Sequence, residues 1–473
     1  MDTSTWLLLD TLLAVVGLVV LITWLKLNSF IALAVASLAA GIGSGMDISK
    51  VAGAFELGVG NMLGKVAMVI GLGAVLGQML ATSGGAKKLA TTMLDACGPR
   101  RLAVAVILCG FLVGIPVFFT VGLVLLVPVL IPLADRAGIR LSRLGLPLVA
   151  ALSVAHGLVP PHPGPMAAIG VLHADVGKTI LYAILIGVPT ALAAGMLFSR
   201  IDVGEIGGGG IEPARDVDTP LLARRARGDG SPQRQQGTLP AESRPEPIRS
   251  PALGWVLFTI LLPIGLMLLR TMAELTLGDN LSLRPVLHAA QLLGDPAIAM
   301  LIAVLVSYFT LGTSVGLSRR QIAASTAESL APVAEILLVV AAGGGFSQVL
   351  IAAGVGDAIL HRAAALAISP LLLGWLATAA IRVATGSATV AITTAAGLLA
   401  PLVANSGIHP ELMVLAMGAG SLVCSHVNDG GFWLVQKYLR FSTSETLRTW
   451  TVLETVISFI ALVLTMLLAA VVR

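Results

Sequence analysis

From Leu102 to Ala134 the chain runs without one charged residue, mostly in Ala, Val, Ile, Leu and Phe. Built as a single helix, that stretch would reach about 50 Å at 1.5 Å per residue, against a hydrocarbon core of about 30 Å. Gly114-Ile115-Pro116 stands near its centre, and proline removes a backbone donor and ends a helix. The economical reading is a re-entrant hairpin over about 102–134. Non-helical backbone at membrane depth is tolerated where protein or a cavity covers it. A second run, about 370–404, has Ile381-Arg382-Val383-Ala384-Thr385-Gly386-Ser387-Ala388-Thr389 at its middle.

Composition puts the rest of the chain in the same solvent. Of 473 residues 56% are hydrophobic and 11% charged, and a mean hydropathy of +0.95 excludes a soluble globular domain. Apolar runs of about 18–25 residues without alternation predict an all-α membrane bundle in a lipid bilayer and exclude a β-barrel. With 4% aromatics and 52 glycines, the helices are expected to pack backbone to backbone. The net charge of +4 says little about partners, because basic residues in such a chain chiefly set orientation, and no nucleic-acid partner is expected. Cys97, Cys109 and Cys424 lie in or beside apolar helices without paired spacing, so neither disulfide, metal site nor cofactor is implied. Met1 to Trp6 lack a basic region and no cleavage site follows, so 6–25 reads as a retained span.

In chain order the expected spans are 6–25, 28–45 and 66–82, with a mixed segment at 47–64 carrying Glu56 and followed by Lys65. The first hairpin is followed by an interrupted helix over about 145–172, broken at His156 to Pro165 by four prolines, and by a span at 179–198. These form an N-terminal unit, 1–200. Residues 201–250 turn to Gly, Pro, Arg, Asp, Glu and Gln, which predicts a flexible cytoplasmic linker. The C-terminal unit, 251–473, contains the hairpin at 370–404 and a broken helix at about 411–435.

The two units repeat. Gln78 and Gln348, Gly84 and Gly354, the breaks at Pro116 and Gly386, and His156 and His426 all pair at an offset of 270 residues. Lys87, Lys88, Arg100 and Arg101 in the loop 83–101 face only Arg362 in its counterpart. Arg136, Arg140 and Arg143 face a counterpart with no basic residue. By the positive-inside rule the halves are inverted, each with about five crossings plus a hairpin. Inverted repeats with broken helices mark secondary transporters, whose site lies where unwound backbone meets near the midplane.

An arginine inside lipid needs an anion or water, so Arg382 is the first candidate, as a bidentate partner for a carboxylate. Bracing of its own broken helix and snorkelling are the alternatives. Thr385, Gly386, Ser387 and Thr389, with Pro116, Thr120, Pro161 and Asn428 at the other breaks, complete the expected substrate site for a hydroxylated anion. Hydroxyls in such helices also bond back to their own chain. Asp429, the sole carboxylate placed in the interrupted spans, is either a proton carrier or a partner for Arg382. His426 and His156 are candidates for a proton pathway or are helix braces. His162 is expected to fix its loop, and Glu328 and Glu335 to sit solvated near an interfacial helix. A channel would need a polar stripe along whole helices. An enzyme would need serine–base or paired-histidine spacing. Neither pattern is present.

His156 to Pro165, Ile381 to Thr389, and Ser425 to Trp433 with Thr449-Trp450-Thr451-Val452-Leu453-Glu454-Thr455 resemble the bacterial gluconate:proton symporter family, over roughly 60–200 and 330–460. The resemblance implies the ion-transporter-superfamily fold: paired hairpins, a scaffold, elevator-type motion and a homodimer in the bacterial inner membrane. It also implies import of gluconate or a related hydroxy carboxylate with protons. Glycerate, lactate or serine are the rival substrates. The chain departs from the family pattern after Phe118-Phe119, where many members of the family carry an acidic residue and this chain has Thr120. That either removes a proton carrier from the first hairpin or marks a subgroup with another substrate.

Overall fold

The computed structural model describes residues 3–96, 101–200, 249–277, 283–355, 358, 369–405 and 407–472. Nearly all of the 201–250 linker, Cys97, Arg100 and Arg362 lie outside the described residues. Within them every regular element is helical. In order these are α1 (Thr3–Thr23), α2 (Ser29–Gly43), α3 (Ile48–Thr82), α4 (Gly85–Ala96), α5 (Leu102–Gly114), α6 (Phe119–Ala137), α7 (Ser142–Leu158), α8 (Pro163–Leu172) and α9 (Val176–Phe198). There follow α10 (Leu253–Leu277), α11 (Arg284–Leu293), α12 (Pro296–Ser307), α13 (Arg319–Ala352), α14 (Pro370–Thr385), α15 (Ala388–Asn405), α16 (Pro410–Gly420), α17 (Gly430–Leu439) and α18 (Thr443–Val471). Nine helical segments among the described residues are long and apolar enough to cross a membrane, and the protein is a multi-pass membrane protein.

Shifting α3, α5, α6, α7, α8 and α9 by about 270 residues lays them on α13 to α18 in the same order. The longest helices of the two sets pack against each other and run antiparallel. Phe55 and Gly58 of α3 meet Gly345 and Gly344 near the end of α13, while Thr82 hydrogen-bonds Ser325 near its start at 3.0 Å. A Cβ on Gly58 would lie 2.3 Å from the Gly344 carbonyl oxygen, so the crossing requires the glycine. The antiparallel pair α3 and α13 forms one wall. The centre is α7 and α16, both apolar around the whole circumference and buried along almost their whole length, as a helix surrounded by other helices must be.

Several expected boundaries move. The mixed segment at 47–64 and the span at 66–82 are one 35-residue helix, started by the Asp47 side chain accepting from the Ser49 N–H. Lys65 does not interrupt it, because its ammonium donates to the Gly170 carbonyl at the end of α8 and contacts His173, both at 3.1 Å. The span expected at 28–45 is only 15 residues long, about 22 Å, shorter than a hydrocarbon core. In the first hairpin α5 is short, 13 residues, whereas α6 reaches 19 residues to Ala137 and is long enough to cross by itself. Among the described residues, five of the segments long and apolar enough to cross lie in the N-terminal half and four in the C-terminal half. Glu328 and Glu335 lie within the 34-residue α13, both exposed, and Glu335 accepts from Asn28 at 2.8 Å.

Candidate functional site

Four interruptions come together on one side of α7 and α16. The first is 115–118 between α5 and α6, and the second is 159–162 between α7 and α8. The third is Gly386-Ser387 between α14 and α15, and the fourth is 421–429 between α16 and α17. Each hairpin tip is tied to the broken helix of its own half. His162, buried, donates Nε2–H to the Gly114 carbonyl at 2.6 Å, since a carbonyl only accepts. In the other half the Val383 carbonyl, in the last turn of α14, accepts from Asn428 Nδ2 at 2.9 Å and His426 Nε2 at 3.1 Å. These side chains replace the turn of backbone that a helix end lacks.

Gly386 takes φ +74° at the end of α14, a left-handed conformation natural to glycine. A Cβ there would also lie 2.4 Å from the Asn428 carbonyl oxygen, so glycine lets two unwound segments touch. Gly77 of α3 does the same for the first tip, with the Pro116 carbonyl oxygen 2.5 Å from where its Cβ would be.

These tips enclose a cavity of about 700 Å³ between the α3/α13 wall and the broken helices. Arg382, Thr385, Gly386, Ser387, Thr389, Pro116, Thr120, Asn428, Asp429 and His156 all line it. Pro161 and His426 do not. Pro161 packs behind the break against Gly73 of α3, and His426 caps the Val383 carbonyl. The Nε2–H of His426 is thus committed to backbone, the geometry of a helix brace. Thr385 bonds back to the Ile381 carbonyl at 2.8 Å, whereas Ser387 Oγ accepts from the Val390 N–H at 3.3 Å and keeps its own O–H free.

Arg382, 4% exposed, forms an ion pair through Nη2 with Asp429 Oδ2. Of the two readings of Asp429, the structure holds the pair. Ser425 donates to the same carboxylate oxygen, and Trp450 Nε1–H donates to Ser425 Oγ at 2.8 Å. Oδ1 accepts from the Gly431 N–H at 2.8 Å and so caps α17. The Trp450 ring stacks on Phe119 of the first tip with centroids 5.4 Å apart, joining the two halves across the cavity. Arg382 Nε is buried and has no hydrogen-bond partner among the described residues.

His156 and His162 approach Nδ1 to Nδ1 at 3.3 Å. Because His162 Nε2 carries its proton to Gly114, a neutral His162 offers Nδ1 as acceptor and His156 must donate from Nδ1. His156 Nε2 is then a bare lone pair on the cavity wall. A group that sequence reasoning passed over also stands here. Glu454 of α18, 1% exposed, lines the cavity and takes a hydrogen bond from Ser153 of α7. Asp429 therefore shares the cavity with a second carboxylate that comes from outside the interrupted spans. Glu454 lies in an unbroken apolar helix, where only its being an acid among Val, Leu, Ile and Phe could have drawn attention. Gln78 and Glu328 face the cavity from the α3/α13 wall. Among the described residues no cluster of His, Cys, Asp or Glu is arranged to hold a metal.

A family model described as GntP family permease matches residues 6–472. The chain belongs to the GntP permease family. Relatives include the gluconate permease of Pseudomonas aeruginosa, 44% identical over 100% of this chain and 99% of its own. The high-affinity gluconate transporter of Escherichia coli is 41% identical over 95% and 96%. The Gnt-II system L-idonate transporter of Escherichia coli is 37% identical over 94% of this permease and 95% of its own length. Membership is of a transporter family and not of an enzyme family. Among solved structures, the YdaH transporter of Alcanivorax borkumensis aligns with TM-score 0.62 at 19% identity, over 93% of this permease and 97% of that chain. At that identity it speaks for the fold alone.

Proposed function

We propose that this permease imports gluconate or a closely related sugar acid by alternating access, together with protons, across a bacterial cytoplasmic membrane. The observation that carries the reading is Arg382. Its guanidinium is buried in a cavity of about 700 Å³, held on one edge by Asp429 and unpartnered at Nε. A planar guanidinium matches a carboxylate in two-point contact. The O–H of Ser387, with Thr389, Thr120, Gln78 and Asn428, supplies hydrogen-bonding groups suited to a chain of hydroxyls. Kinship to proteins named for gluconate and L-idonate supports a substrate of this class.

In this reading Asp429 keeps the guanidinium aimed into the cavity before substrate arrives, and the substrate carboxylate takes the free edge. The antiparallel run of α3 and its repeat partner α13 supports halves of opposite orientation in the membrane. The short α5 and α14 support re-entrant hairpins. Elevator-type movement and homodimeric assembly rest on the family resemblance.

The test is uptake of labelled gluconate by the purified permease in liposomes under an imposed pH gradient, with unlabelled acids as competitors. Saturable uptake is expected, driven by an acidic exterior, competed by L-idonate more than by lactate, glycerate or serine, and lost in Arg382→Ala. Flux linear in gluconate concentration would make the protein a channel, and stronger competition by serine or lactate would move the substrate to the smaller class.

A further inference from the structure

Coupling an anion to a proton requires a group that changes protonation within reach of the anion. The two carboxylates on the cavity wall are built for opposite states. Asp429 is satisfied as an anion: Arg382 and Ser425 donate to Oδ2 and the Gly431 N–H to Oδ1. Protonating it would break the pair that holds Arg382. Glu454 has the reverse surroundings. It is 1% exposed, Ser153 is its hydrogen-bond partner, and Oε1 is buried with no partner among the described residues. An ionised carboxylate with a stranded oxygen is far costlier to bury than a neutral acid. It also sits on the first turns after a π-helical stretch, Leu447–Thr451, of a kind that often marks functional positions.

We propose that Glu454 is the proton-carrying residue of this permease, loaded in the state seen here and emptied after the substrate leaves. The inference rests on the coupled-uptake reading above. The charged and titratable groups sharing its cavity are Arg382, Asp429, His156 and Glu328. Arg143, Lys178 and Glu411, on helices packed against α18, lie in the first turns of α7, α9 and α16 and do not line the cavity. A bound carboxylate on Arg382 places a second negative charge near Glu454 and disfavours loss of its proton. When the anion departs inward, Arg382 again faces Glu454 uncompensated by substrate. The O–H bond of the acid then breaks, and the proton passes to water on that side, with His156 Nε2 as an acceptor on the cavity wall. One anion and one proton have moved, and the cavity regains a proton from the outside to close the cycle.

The experiment uses the full-length permease in liposomes with gluconate as probe, reading proton flux, accumulation and gluconate counterflow separately. In Glu454→Gln, gluconate counterflow is expected to stay within about threefold of the parent while gluconate-driven proton flux and accumulation against a gradient are lost. The infrared C=O stretch of a protonated carboxyl should be present in the parent and in Asp429→Asn and absent from Glu454→Gln. Concentrative uptake by Glu454→Gln with the parent's proton ratio and pH profile would overturn the assignment. If Glu454→Gln is not produced in folded form, Ser153→Ala should shift the pH profile of uptake with counterflow kept, and an unchanged profile would overturn it. A parent protein that moves gluconate without protons sinks the coupled reading before any variant is made. The infrared band then decides the protonation of Glu454 by itself.

Discussion

At the first hairpin tip the final carbonyl of α5, on Gly114, is capped by His162 from the break in its own half. At the second tip the Val383 carbonyl is capped by His426 and Asn428 from the corresponding break. The mechanical solution is the same, but the cargo differs. The first tip offers Pro116, Val117, Phe118, Phe119 and Thr120 and is backed by two histidines in contact with each other, one of which also caps Gly114. The second offers a buried guanidinium, a carboxylate and the hydroxyls of Ser387 and Thr389. The joints are alike and the lining is not: charged and hydroxyl groups stand at the second tip, an apolar, aromatic surface at the first. Phe119 stacked on Trp450, whose indole reaches Asp429 through Ser425, is where the two meet.

The strongest way to break this comparison is Arg382→Ala, expected to abolish gluconate uptake. It also leaves Asp429, 17% exposed, without its partner, a loss below the roughly 3–5 kcal/mol of a fully buried pair that should still lower the thermal midpoint of the purified protein. Arg382→Gln combined with Asp429→Asn should recover the stability and not the transport. Stability and transport recovering together would show the pair to be only a brace. Next in size is Gly386→Ala, where a positive φ and the Asn428 carbonyl both oppose a side chain; uptake should fall at least about tenfold, from strain of roughly 1–3 kcal/mol. Pro116→Ala at the equivalent point should cost little uptake. If it costs as much as Gly386→Ala, the proposed division of labour fails.

His162→Phe removes the cap on Gly114 and should destabilise by about 1–3 kcal/mol, seen in thermal melts, with the KM for gluconate nearly unchanged. A large rise in KM would instead place the histidine pair in the recognition site. Ser387→Ala should raise KM about fivefold, the worth of one hydrogen bond of about 1 kcal/mol. Thr385→Val should do less to KM, since that hydroxyl already bonds to Ile381, and equal effects would mean that the hydroxyl leaves Ile381 for the substrate. Both are measured as initial rates of uptake.

Much of this is legible along the chain because interruptions in apolar helices are local events. The prolines at 160, 161, 163 and 165 and the glycine at 386 announce their breaks without reference to anything distant, and an arginine in lipid announces its own need for a partner. Boundaries were harder to read where a distant partner settles a charge. Lys65 looked like the end of a segment until Gly170 and His173 supplied its contacts. Glu328 is exposed, as its sequence suggests, but that it also lines the cavity shows only in the fold. Roles were hardest of all, for which atom a histidine or a hydroxyl bonds is set by side chains tens of residues away. His426 reads like His156 in sequence, yet one caps a backbone carbonyl and the other faces the cavity.

The chain by itself determines that it must live in lipid and where its apolar helices break, because hydrocarbon allows so few ways to satisfy a backbone. Which polar groups meet at those breaks is decided only by folding. Arg382 and Asp429 are 47 positions apart and Ser153 and Glu454 some three hundred, and no local pattern encodes their encounter. Burial gives that encounter its consequence: one carboxylate meets three donors, and the other keeps an oxygen without a partner among the described residues.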